Sequence, residues 1–254
     1  MLYGWFAGDR MSKNARPVTA VSAILFALAF NVPYAVLAAT FDYPDVLRRD
    51  PGEALAMFRA GGAQLILTWH AFALCALALA PLAIALSLTP RRVAERPSLA
   101  VGAAITGALA GVVQAIGLWR WVFVIPTLAA AYADPAASPE AQAAAERAFD
   151  VLNRYGGVAI GEHLGQLLTA LFVSMLALLQ WGERKRTSAA LGFIASLAIA
   201  LGTGEGLSLA LGQSGELFSY ATIGGFLGLT VWIIATGIGL LRDDVDQRAG
   251  ARSS

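Results

Sequence analysis

The chain is poor in the residues that build most soluble sites. Only 14% of its 254 residues are charged, about half the roughly 25% of an ordinary soluble domain. So few charges exclude a disordered chain and a soluble nucleic-acid binder. Lys plus Arg number 18 against 17 Asp plus Glu, so neither sign dominates. One cysteine, Cys75, excludes an intramolecular disulfide and a thiolate cluster within one chain. Two histidines, His70 and His163, exclude a zinc site made of histidines and cysteines alone. No ten-residue stretch alternates in the manner of a membrane strand, which argues against a β-barrel.

What the chain does have is apolar length. Hydrophobic residues make up 57% of it, and the mean hydropathy is +0.64. A membrane-crossing helix needs roughly 20 apolar residues, because each adds about 1.5 Å across a slab about 30 Å thick. Six segments qualify: about 17–40, 62–89, 98–126, 157–182, 188–212 and 217–241. The sequence therefore predicts an all-α, polytopic bundle of six transmembrane helices forming one membrane domain, with a tail over 242–254. The first segment also has features of a cleaved signal sequence, namely a basic leader (Arg10, Lys13, Arg16) and small residues at Ala38 and Ala39. Its length, and Asn31, Pro33 and Tyr34 within it, argue for a retained span.

Lys and Arg in short loops set orientation. Arg10, Lys13, Arg16, Arg91, Arg92, Arg96, Arg184, Lys185, Arg186, Arg242, Arg248 and Arg252 fall on one side, against Arg48, Arg49, Arg59, Arg147 and Arg154 on the other. Both termini are expected in the cytoplasm, and the loops near 41–61 and 127–156 outside. Each of these outer loops carries a helix-start signal: Asp50-Pro51 with Glu53, and Ser138-Pro139 with Glu140. They predict two short amphipathic helices in the outer loops. A weak repeat joins the halves. Arg59-Ala60-Gly61-Gly62 precedes the span of His70, and Arg154-Tyr155-Gly156-Gly157 precedes that of His163.

The stretches FDYPDVLR (Phe41 to Arg48), GLWRWVFVIPTLAAAYADPAAS (Gly117 to Ser138) and RYGGVAIGEHLGQLLTALF (Arg154 to Phe172) resemble a family of bacterial integral membrane proteins. That family is known only as domain of unknown function 4386. The resemblance runs from the first span to the sixth. It implies a helical bundle in the bacterial inner membrane and carries no activity with it.

Ionisable groups inside a membrane are costly, so each is a functional hypothesis. Here they are His70, Arg120, Glu162, His163 and Glu205. His70 is expected about 12 Å from the outer end of its span, and Glu162 and His163 about 8 to 9 Å. Arg120 and Glu205 lie near outer ends. Asn31, Gln64, Gln114 and Tyr220 lie in the outer half or near the middle, and the inner half holds little beyond Ser87, Ser174 and Ser196. This one-sidedness predicts a polar ligand-binding pocket of Arg120, Glu162, His163 and Glu205, with Arg120 balancing the carboxylates. Glu162, Gln166 and Thr169 form one stripe at i, i+4, i+7.

The plainer reading makes Arg120 a structural ion pair or an interface anchor between Trp119 and Trp121. Three functional readings remain open. The protein binds a small ligand or lipid, or docks as an accessory subunit on a larger membrane complex, or forms a homo-oligomer. It is a b-type haem electron carrier ligated by His70 and His163. It is a membrane metal hydrolase using Glu162 and His163, although no Gly-x-Ser-x-Gly nucleophile is present. The run Gly202-Thr203-Gly204-Glu205-Gly206 follows no strand, so it is read as a packing or distortion element rather than a nucleotide loop. Asn31-Val32-Pro33 is expected to kink the first span and free a carbonyl for a neighbour.

Overall fold

A computed structural model describes residues 12–250, and the side chains of 16–244. Arg10 and Arg252 of the expected cytoplasmic segments lie outside the described residues, as do the side chains of Lys13 and Arg248. Six helical segments are long and apolar enough to cross a membrane. They are α1 (Ser12–Phe41), α2 (Pro51–Ser87), α4 (Pro97–Phe123) continued by α5 (Ile125–Tyr132), α7 (Gly165–Gly182), α8 (Arg186–Gly202) continued by α9 (Gly204–Ala210), and α10 (Glu216–Gly250). A short helix, α3 (Pro90–Glu95), turns the chain between α2 and α4. The segment α6 (Pro139–Leu152) precedes a π-helical stretch, Asn153–Leu164, which leads into α7.

Both expected amphipathic helices are present. At 37 residues α2 would be about 55 Å long if straight, far more than the roughly 30 Å slab needs. Gly62 breaks it with φ 57° and ψ −150°, a conformation open mainly to glycine. Residues 51–61 thus form a separate first helix, capped by Asp50 accepting from the Gly52 amide at 3.0 Å. The second is α6, capped by Ser138 accepting from the Ala141 amide. The internal repeat does not extend to geometry. Gly62 makes a hinge, whereas Gly156 and Gly157 sit in unbroken helix widened to a π turn.

The spans pack as a ring in chain order. α1 packs on α2, α2 on α4, α4 on α7, α7 on α8, α8 on α10, and α10 closes on α1. Six helices around a ring leave an interior to be filled. Near the end where α1 begins and α10 ends, it is filled by Leu86, Phe172, Leu176, Trp232 and Ile233. There Gln180 accepts from Trp232 Nε1 at 3.1 Å and donates to Thr236 at 3.0 Å, a buried polar link that the apolar reading of the inner half passed over. At the other end Phe41, Phe58, Trp69, Trp121 and Phe149 form an aromatic cluster. Trp69 and Trp121 stack at 4.9 Å and 7°. A cavity remains between these two fillings.

Asn31-Val32-Pro33 does not break α1, which runs through it as helix. Proline at 33 removes the amide that would bond the Ala29 carbonyl, and the Cys75 thiol of α2 reaches that oxygen at 3.6 Å. Asn31 donates to the Ala27 carbonyl at 2.7 Å and to Thr230 of α10 at 3.0 Å, pinning the ring where α1 meets α10.

Candidate functional site

The cavity has a volume of about 240 Å³ and reaches the 42–50 loop, from which Tyr43, Pro44, Asp45, Leu47 and Arg48 line it. Its walls come from all six spans. Asn31 and Tyr34 belong to α1, Trp69 and Phe72 to α2, and Gln114, Gly117, Arg120 and Trp121 to α4. Gly157, Gly161 and Glu162 come from the π segment, Gln166 from α7, Glu205 from α9, and Thr222, Ile223, Phe226 and Leu227 from α10. Charge is concentrated toward the loop, in Asp45, Arg48, Glu162 and Glu205. The deeper wall carries no charge and is aromatic and aliphatic apart from Asn31, Gln114, Gln166 and Thr222.

The helix breaks explain how these groups arrive. Helix α8 ends at Thr203 and restarts as α9, and this break turns Glu205 inward. The π stretch places Gly117 and Gly161 back to back. A Cβ on Gly117 would stand 2.6 Å from the Gly161 Cα and 3.0 Å from the Gly156 carbonyl. A Cβ on Gly157 would stand 2.7 Å from the Arg120 Cζ. Side-chain-free backbone therefore makes the room that Arg120 occupies. π turns in helices concentrate at functional sites because they redirect side chains.

The cation that holds the carboxylates is Arg48, not Arg120. Arg48 Nη2 lies 2.7 Å from Glu162 Oε2 and 2.9 Å from Glu205 Oε1, and its Nε donates to Glu205 at 3.1 Å. Burial lowers the Arg48 pKa, but Glu162 and Glu205 outweigh it and hold the group above its ordinary value. Among the described residues, no carboxylate lies within ion-pair reach of Arg120. It donates to the Gly117 carbonyl at 2.6 Å and to Asn153 at 3.1 Å, and lies over the Trp121 ring. Asn153 in turn donates to the Leu47 carbonyl at 2.9 Å, so Arg120 is tied to the Arg48 loop through one amide. Burial, with Glu162 nearby, also pushes the Tyr43 phenol above its ordinary value, so it stays neutral in the cavity wall.

His163 faces elsewhere. Its Nδ1 lies 3.0 Å from the Thr203 carbonyl. A carbonyl only accepts, so Nδ1 carries the proton. His163 lines a second, outward-facing cleft of about 600 Å³ with Arg49, Asp150, Arg154 and Gly206. His70 lines neither cavity, and its Nδ1 is buried without a partner. The expected four-residue pocket is thus three residues, Arg120, Glu162 and Glu205, with Arg48 added. The two histidines do not meet in one cavity. Glu162 and His163, though adjacent, serve different ones. Among the described residues no group of three or more His, Cys, Asp or Glu side chains clusters for a metal.

Arg48, Asn153 and Tyr43 escaped the sequence reading because they lie in or beside the loops. There a charge reads as solvated and no periodicity points inward. Of the outer-half polar residues, Asn31 and Gln114 do line the cavity, and Gln114 donates to Thr169 at 2.9 Å. Tyr220 is 64% exposed and turns outward.

These features define a class: an all-helical membrane bundle with an interior cavity bounded at one end by a partly exposed ion-pair clasp. The sequence model of a family described as a domain of unknown function, DUF4386, matches residues 18–237. The chain belongs to that family. No curated protein and no solved structure matches it.

Proposed function

We propose that the protein binds an amphipathic small molecule, a lipid or lipid-like compound, in the cavity beneath the Arg48 clasp. The observation that carries this is the division of the cavity wall. Charged groups gather at the loop end, and the rest of the wall is uncharged, with Phe30, Phe72, Ile223, Phe226 and Leu227 interrupted by Asn31, Gln114, Gln166 and Thr222. Binding pockets combine a mostly apolar lining with a few placed polar groups in this way. No catalytic step is assigned, because no nucleophile stands beside a base in the cavity wall. The excess of Lys and Arg in the terminal-side loops supports a bacterial inner-membrane orientation with both termini cytoplasmic and the cavity outside.

The test is native mass spectrometry of the protein purified in mild detergent, compared with a cavity-filling Leu118→Trp variant. Leu118 belongs to the wall. About one amphiphile per wild-type chain is expected, and its loss in a folded variant. A wild-type protein that carries no such molecule, and takes up none added at saturating concentration, refutes the proposal.

A further inference from the structure

Two side chains that line the cavity each carry a buried atom without a partner among the described residues, and the two atoms are opposite in kind. Arg120 is only 8% exposed. Its two terminal nitrogens are engaged with Gly117 and Asn153, while its Nε–H has no acceptor. Glu162 gives Oε2 to Arg48, and its Oε1 has no donor. Buried polar groups in folded proteins are satisfied, so each exception asks for an explanation. Here an unused donor and an unused acceptor belong to side chains of the same cavity wall.

Charge narrows what satisfies both. The charged side chains of the wall are Asp45, Arg48, Arg120, Glu162 and Glu205, three acids against two arginines. A simple anion reaches Arg120 Nε but adds a further negative charge and leaves Glu162 Oε1 alone. A simple cation offsets the excess acid but leaves Arg120 Nε alone. A head bearing both an anionic oxygen and an ammonium N–H meets both atoms and leaves the charge balance unchanged.

The apolar side fixes the rest of the ligand. The cavity, at about 240 Å³, falls below the roughly 300–1,000 Å³ of a pocket that encloses a drug-sized molecule. The void beneath it, about 10 Å³, is at most about one water in size. A long chain therefore leaves sideways. Leu227 lines the cavity and is 57% exposed on the outer face of α10. The wall thus reaches the lipid-facing surface beside α1, on the cavity side of the Asn31–Thr230 bond.

Resting on the reading of this cavity as an amphiphile site, we propose that its ligand is a zwitterionic lipid. Its phosphate or carboxylate oxygen accepts from Arg120 Nε, its primary ammonium donates to Glu162 Oε1, and its tail leaves past Leu227 into the bilayer.

The experiment titrates the purified full-length protein with single-chain lysophospholipids that share one bromine-labelled chain. The readout is quenching of the tryptophans, since Trp69 and Trp121 line the cavity. Lysophosphatidylethanolamine is expected to bind at least about tenfold tighter than lysophosphatidic acid or lysophosphatidylcholine. The first of those lacks the ammonium and the second lacks its N–H donors, and charge-assisted hydrogen bonds carry differences of that order. Glu162→Gln is expected to reduce the preference over lysophosphatidic acid to about threefold or less. Equal affinity for the three heads, or tighter lysophosphatidic acid, overturns the zwitterion while leaving an amphiphile site standing. Free phosphoethanolamine that displaces the labelled lipid as well as the lysolipid does overturns the lipid assignment in favour of a soluble zwitterion. Absence of saturable quenching with every head overturns both this inference and the function it rests on.

Discussion

Replacing Arg48 with Met tests whether the clasp is an electrostatic lock. The guanidinium sits between Glu162 and Glu205, one nitrogen contacting an oxygen of each at 2.7 and 2.9 Å. Those two oxygens are therefore less than about 6 Å apart, and at an effective dielectric near 20 two unit charges at that separation repel by about 3 kcal/mol. The side chains are 27%, 22% and 13% exposed. Water therefore screens part of this, and the cost falls between a surface pair and a fully buried one, about 1–3 kcal/mol. Removing one carboxylate as well removes the repulsion, so Arg48→Met with Glu162→Gln should recover at least half of the loss. Thermal melts of the four proteins in one detergent form a double-mutant cycle. The expected single-variant shift is about 2–12 °C at roughly 2–4 °C per kcal/mol. An unchanged midpoint for Arg48→Met, with no coupling to Glu162→Gln, would refute the lock.

Two further substitutions follow from the packing. Gly117→Ala puts a methyl 2.6 Å from the Gly161 Cα. Backbone cannot give way as a flexible side chain does, so the expected cost is about 1–3 kcal/mol with loss of amphiphile binding. Gly224→Ala meets nothing within 4 Å and should stabilise α10 by about 0.5–1 kcal/mol. Equal melting shifts for the two would count against the π-segment contact. At the opposite end Arg92 is 8% exposed and holds Glu183 at 2.5 and 2.8 Å while donating to the Leu86 carbonyl. Arg92→Met strands a carboxylate that is 14% exposed, and should lower stability by about 3 kcal/mol without altering ligand selectivity at the far cavity.

The spans and outer helices were legible because bilayer physics writes them as long apolar runs, and because Asp50-Pro51 and Ser138-Pro139 are local start signals. The stripe Glu162, Gln166, Thr169 was legible for a similar reason, since a helix of any regular kind keeps neighbouring turns on one face. Glu162 and Gln166 line the cavity, and Thr169 accepts from Gln114 beside it. The partner of the carboxylates was not legible. Arg48 lies in a 3₁₀ turn, Asp45–Arg48, and charge counting treats such a residue as one more loop cation. Only the tertiary fold decides that it reaches inward.

The π segment is the deeper case. Sequence reading with a period of 3.6 put Glu162 and His163 about 100° apart, both bordering one interior. The carbonyl of Thr203 instead draws the His163 ring to the outer cleft, and the contact of Gly117 with Gly161 sets the backbone that carries Glu162 toward Arg48. The signal for this was present in composition, since Gly156, Gly157, Gly161 and Gly165 place four weak helix formers within ten residues. Such a stretch is held as helix by what packs against it, and Arg120 with Asn153 packs there. Arg120 therefore works twice in this geometry. One terminal nitrogen ties its own helix, through the Gly117 carbonyl, and the other holds the widened turn through Asn153.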